Sequence, residues 1–121
     1  MAKILVADDS RFQVQLLSSY LTADGHQVIT ALDAMQASMI ALRELPDAIV
    51  LDINMPGGTG FAVLKRLRAS TKTCHIPVVI VSGNEIEPGH VKEIGATRFL
   101  HKPVEAAVLP ETINQIVTVR R

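Results

Sequence analysis

The stretch Ala48-Ile49-Val50-Leu51-Asp52-Ile53-Asn54-Met55-Pro56-Gly57-Gly58-Thr59-Gly60 decides the fold. An unbroken apolar run stops on one carboxylate and then breaks into proline and glycine. Four apolar residues in a row read as a strand buried on both faces, the habit of parallel sheets covered by helices. Asp52 stands where that strand ends, and in open α/β sheets ligands bind at the carboxyl ends of the strands. Pro56 and the glycines turn the chain toward its next element. Taken alone, Asp52 reads as a capping or turn aspartate. The ends of the other strands decide otherwise.

Upstream, Lys3 to Ala7 is a first apolar strand that ends on Asp8-Asp9-Ser10. Ser10 or Asp9 can cap the following helix by accepting its orphan N–H groups. Phe12, Leu16, Leu17, Tyr20 and Leu21 recur there at helical spacing, and Asp24-Gly25 closes it. Gln27 to Ala31 is a second strand, and Ala34 to Leu45 a second helix closed by Pro46, with Met35 and Met39 read as packing residues. Downstream, Gly60 opens a third helix and Val78 to Val81 form a fourth strand ending at Ser82. Pro88 to Ile94 is a short helix ended by Gly95, and Arg98 to His101 a fifth strand running into Lys102-Pro103. A last helix carries Leu109, Ile113, Ile116 and Val117 on one face, with Pro110 in its first turn. Five alternations of strand and helix specify an α/β fold with a parallel sheet covered on both faces. Right-handed crossovers then bring every strand's carboxyl end to one edge.

Composition narrows the function classes. A chain of 121 residues, 48% hydrophobic and 20% charged, fits one globular domain over residues 1–121. Twelve basic and twelve acidic residues leave no net field for nucleic acid or an anionic membrane. The single Cys74 allows no internal disulfide and fits a reducing compartment. No apolar run approaches the ~20 residues of a membrane span, and the N-terminus leads straight into a strand with no signal peptide. The four histidines show no metal-ligand spacing and read as surface residues. Gly57 to Gly60 lacks the spacing of a dinucleotide fingerprint and reads as a turn; a flavin or nucleotide fold would need its glycine-rich turn after the first strand, where Asp8-Asp9 stands.

One edge therefore collects Asp8, Asp9, Asp52, Ser82 and Lys102. Three crowded carboxylates repel one another and require a cation. A hard divalent ion with oxygen ligands suits them, and Mg²⁺ would keep several waters. Lys102 adds a point charge and Ser82 a hydroxyl donor. That set meets the needs of a transferring phosphoryl group, with Asp52 as the nucleophile that carries an acyl phosphate.

On these residues the chain resembles the receiver domain of two-component response regulators, of the single-domain, chemotaxis-regulator-like kind, from Lys3 to about Val119. The resemblance implies a flavodoxin-like, doubly wound five-stranded parallel sheet of order 2-1-3-4-5. It implies that Asp52 is the phosphoacceptor, and that Asp8, Asp9, Asp52 and the backbone carbonyl of Asn54 hold Mg²⁺. Ser82 bonds a phosphoryl oxygen, Lys102 precedes Pro103 as the family's lysine, and Phe99 matches the aromatic switch position. Asn84 matches a position that tunes dephosphorylation. The implied partners are a histidine kinase or histidine phosphotransfer protein and a downstream protein target, with no nucleic acid contacted and no membrane entered, in the cytoplasm. The protein would catalyse its own phosphorylation and dephosphorylation without being a conventional enzyme. The competing class is a receiver fold that serves as a phosphorylation-independent interaction module. Gly89 in the fourth helix makes Asn84 to Gly95 the expected mobile stretch.

Overall fold

The computed structural model describes residues 2–55, 58–83 and 88–119, with the backbone alone at 88, 118 and 119. The sequence readings at Pro56, Gly57 and Asn84 lie outside the described residues. The elements are β1 (Lys3–Ala7), α1 (Arg11–Ala23), β2 (Gln27–Ala31), α2 (Ala34–Glu44), β3 (Ala48–Asp52), β4 (Asn54–Met55), β5 (Gly58–Thr59), α3 (Gly60–Ala69), β6 (Val78–Ser82), α4 (Pro88–Glu93), β7 (Arg98–His101) and α5 (Val108–Val119). Five strands form one parallel sheet in the order β2-β1-β3-β6-β7. Counted within that sheet alone, this is the expected 2-1-3-4-5.

Strand alternation divides the core in two. Leu5, Ile49, Leu51, Val78 and Ile80 pack under α2 and α3. Ile4, Val6, Val50, Val79 and Val81 pack under α1 and α5, against Leu17, Leu21, Leu109 and Ile113. β3 and β6 are buried along their whole length, which is why they read as continuous apolar runs. No helix among the described residues is long and apolar enough to cross a membrane.

Local chemistry sets the helix ends. The side chains of Ser10, Asp33 and Thr59 accept the N–H groups of Gln13, Gln36 and Ala62 at 3.3, 2.7 and 3.2 Å, capping α1, α2 and α3. Gly25 and Gly95 follow α1 and α4 at φ +89° and +90°, a conformation glycine adopts without a Cβ penalty.

Four sequence readings change. The turn after β3 is framed by a two-stranded antiparallel ribbon, Asn54 opposite Thr59 and Met55 opposite Gly58. Phe12 is 71% exposed, and α1 buries Val14 in its place because Val14, Leu17 and Leu21 form the buried i, i+3, i+7 stripe and Phe12 falls off it. Met35 and Met39 are exposed, since Ala34, Ala37 and Ala41 already form the buried face of α2. His26 is buried, not at the surface: its Nδ1 accepts the Ala2 N–H at 3.1 Å, and its Nε2 faces Asn114 Oδ1 at 3.1 Å and Asp24 Oδ2 at 3.3 Å. It ties the start of β1 to the end of α1 and to α5.

Candidate functional site

Strand register assembles the site. Ala31, Ala7, Leu51, Ile80 and Phe99 pair across the sheet as one row. One residue further along each strand come Asp8 and Asp52, the latter opposite Val81. The next step brings Asp9 and Ser82, with Ser82 opposite His101. Lys102 follows at the end of β7, its N–H donating to the Ser82 carbonyl at 2.8 Å. Residues up to 94 positions apart thus meet because each ends a strand in the same sheet.

The Lys102 ammonium donates to Asp8 Oδ2 at 3.0 Å and to Asp52 Oδ1 at 3.2 Å. Asp8 is 1% exposed and Asp52 5%. Asp8 Oδ1 accepts the Ser10 N–H at 3.0 Å, so the turn that caps α1 also aims this carboxylate. Asp9 is exposed, and its carboxylate completes a cluster in which oxygens of Asp8, Asp9 and Asp52 all lie within 4.8 Å of one another.

Burial pushes the Asp52 carboxyl above its ordinary value, and the Asp8 charge adds to the effect while Lys102 opposes it. Burial works against the Lys102 ammonium, but its hydrogen bond to Asp8 and the charge of Asp52 outweigh that and raise its value. Two buried carboxylates share one ammonium, and the third, Asp9, has no cationic partner among the described residues. The donor set is all oxygen, with no imidazole or thiolate, and it is open to water at Asp9. Those features fit a hard divalent ion that keeps part of its hydration shell.

The structure therefore brings together Asp8, Asp9, Asp52 and Lys102, with Ser82 on the adjoining strand end. Ser82 is 1% exposed and Asn54 lies in the ribbon immediately after β3. Phe99 sits apart from the cluster, half-buried against the core under α2 and α3. Asn84 lies outside the described residues.

Gly60 belongs to the site for a reason its sequence context did not disclose. Its N–H donates to the Ile53 carbonyl at 2.6 Å, and a Cβ there would collide with the Asp52 carbonyl oxygen and crowd Ile53 Cα. A bare backbone at this point lets α3 start directly against the backbone of Asp52 and Ile53. The sequence signalled only that a helix starts at Gly60.

Comparison with known proteins gives one answer. The family model of the response regulator receiver domain matches residues 4–114. Protein PilH of Pseudomonas aeruginosa is 38% identical over 119 residues, which cover 97% of this chain and 98% of that protein. Response regulator PleD of Caulobacter vibrioides is 42% identical over 110 residues, covering 89% of this chain but 24% of PleD, so the chain spans about a quarter of that relative. The solved structure of the chemotaxis response regulator CheY4 of Vibrio cholerae superposes with a TM-score of 0.88 at 34% identity, covering 96% of this chain and 98% of that one. With the sequence pattern matched over nearly its whole length and the sheet built strand for strand as that pattern requires, the chain belongs to the response regulator receiver domain family of two-component signalling.

Proposed function

We propose that Asp52 accepts a phosphoryl group from the phosphohistidine of a histidine kinase or a histidine phosphotransfer protein. The observation that carries this reading is the Asp52 carboxylate itself: buried, raised in pKa by burial, and held on one oxygen by Lys102. Its Oδ2 makes no hydrogen bond among the described residues and is the attacking atom. The new P–O bond forms as the P–N bond breaks, and the imidazole keeps the bonding pair and takes up a proton. Lys102 stays against the acceptor and balances charge that develops on the phosphoryl oxygens. The Ser82 hydroxyl, one row beyond Asp52, donates to one of those oxygens.

Asp8, Asp9, Asp52 and the backbone carbonyl of Asn54 are the groups that would hold Mg²⁺. When bound, the ion supplies charge neutralisation for the transferring group. Hydrolysis of the acyl phosphate by water resets the receiver. Movement of Ser82 toward the phosphoryl group, with inward rotation of the half-buried Phe99, is the trigger that alters the surface around α4, β7 and α5 for a downstream protein. The reading places the protein in the cytoplasm with its donor.

The test uses acetyl phosphate with Mg²⁺ and intact-mass measurement. One added phosphoryl group on the wild type, none on Asp52→Asn and none on Asp9→Ala are expected. Full labelling of Asp52→Asn would remove the acceptor assignment. No labelling of the wild type by any phosphodonor would favour the phosphorylation-independent module.

A further inference from the structure

We propose that the groove between α2 and α3 is a docking site for an amphipathic helix with acidic flanks, contributed by another protein. Its upper end adjoins the carboxylate edge, but its lining residues are distinct from Asp8, Asp9, Asp52, Ser82, Lys102 and Phe99.

The apolar wall comes from α2. Met35, Met39 and Leu42 stand at positions i, i+4 and i+7 and are 64%, 59% and 48% exposed. They make a continuous strip about 10 Å long, at 1.5 Å per residue. Exposed apolar patches of this kind mark contact surfaces, and methionine suits them because its unbranched, polarisable side chain adapts to a partner's relief.

Helical phase shows which way the strip faces. In α3 the buried Gly60 and Leu67 are each followed by a residue that touches α4 or its end. Phe61 meets His90 edge-on with ring centroids 6.0 Å apart, and Arg68 Nε donates to the Gly95 carbonyl at 2.9 Å. In α2 the corresponding buried pair is Ala34 and Ala41, and the residues that follow are Met35 and Leu42. The two helices lie side by side on the same face of the sheet. By the same phase, Met35 and Leu42 overhang the groove toward α3, while Arg66, which precedes Leu67, lies on the α3 flank toward α2.

Charge selects the partner. From Ile53 to Asn84 the sequence has no aspartate or glutamate but carries Lys65, Arg66, Arg68 and Lys72. Lys65 and Arg66 are exposed, and neither forms an ion pair among the described residues. The neutral chain is therefore polarised, and the cationic side borders the apolar strip. The exposed Ala62 and Ala69 leave the α3 wall low. A helix that lays leucines along the α2 strip would set its flanking carboxylates beside Arg66, with Lys65 reaching over from the outward crest of α3. An anionic membrane is the poorer match, since the strip offers no aromatic anchor and a flat bilayer would not enter a groove.

The decisive experiment measures fluorescence anisotropy with two labelled synthetic helices, identical in their i, i+4, i+7 leucines and flanked either by glutamates or by lysines. The receiver is unphosphorylated throughout, so this outcome is separate from that of the acceptor assignment. The glutamate-flanked helix is expected to bind saturably and at least about tenfold tighter than the lysine-flanked one, with the difference shrinking in high salt. Charge reversal by Lys65→Glu with Arg66→Glu is expected to invert that order. Met39→Asp, a surface change whose fold is checked by circular dichroism, is expected to abolish binding of both. Equal binding of the two helices, no saturable binding, or insensitivity to Met39→Asp would overturn the proposal. So would self-association in sedimentation equilibrium that Met39→Asp removes, or binding to phosphatidylserine vesicles without binding to either helix.

Discussion

The carboxylate edge and the α4–β7 corner are made by the same alternation of strand and helix, yet they are held very differently. β3 and β6 are buried at every residue, and a lysine bridges the two buried carboxylates at the edge. β7 exposes Arg98 and His101 and only half-buries Phe99 and Leu100. α4 spans six residues, under two turns, too short for much helical stability of its own. Two glycines mark the contrast. Gly60 is pressed against the Asp52 backbone, whereas a Cβ on Gly89 would meet nothing within 4 Å. Phosphoryl chemistry needs charges fixed to a fraction of an ångström, and signal output needs a segment that reorganises cheaply. On the proposed function, the first falls on strands buried throughout and the second beside β7, the least buried strand of the five-stranded sheet.

The largest effect is expected from breaking the rigid side. Gly60→Ala forces a methyl into the Asp52 carbonyl and should cost about 3 kcal/mol or more in urea unfolding, with loss of phosphodonor labelling in whatever remains folded. A near-neutral result would show that α3 slides freely under the acceptor and that the edge is not rigid.

A smaller effect of opposite sign sharpens the same point. Asp52→Asn removes a charge whose burial is unfavourable and should raise stability by about 1 kcal/mol near neutral pH in the absence of metal. The folded-state pKa of Asp52 lies above its ordinary value of 3.8, so the native state holds that proton to higher pH than the unfolded chain. Stability contributed by this group is present at low pH and is lost as pH rises through the raised value. The part of the pH slope due to Asp52 should vanish in the Asn variant. Lys102 has the same sign in the alkaline range: its raised value makes its contribution full at pH below its ordinary 10.5 and lost as pH rises through the raised value. An Asn variant less stable than the wild type would mean that the Lys102 pair outweighs desolvation.

Much of this was legible in the sequence, for identifiable physical reasons. β1, β3 and β6 declared themselves as apolar runs because both faces of each are covered, and the acidic and hydroxyl residues at their ends fell into register with no further information. Caps at Ser10 and glycines at 25 and 95 fixed helix limits through their own backbone chemistry. Features that depend on what lies across a gap were not legible. His26 looks like any polar residue near a turn until Ala2 and Asn114 are seen to bond it. The exposure of Met35 and Met39 could not be read, since helical periodicity does not tell a buried alanine face from the apolar residues beside it. Gly60 reads as a helix start; its contact with the acceptor backbone is a tertiary fact.

The smallest effect probes the soft side. Gly89→Ala adds helix propensity in open space and should stabilise α4 locally by roughly 0.5–1 kcal/mol, with little change in global unfolding. Hydrogen exchange is expected to slow at Val91 to Ile94 while β3 and β6 amides are unaffected. Uniform change across the sheet would mean that the corner and the edge unfold as one unit.

On the proposed function Asp52, and neither of its two acidic neighbours, carries the phosphoryl group. The direct measurement is reductive trapping. The protein is treated with acetyl phosphate and Mg²⁺, then with borohydride, which converts an aspartyl phosphate to homoserine, and is digested and sequenced by mass spectrometry. Homoserine is expected at position 52, with unmodified aspartate at positions 8 and 9. Homoserine at 8 or 9, or a phosphorylated protein with no homoserine at all, would contradict it.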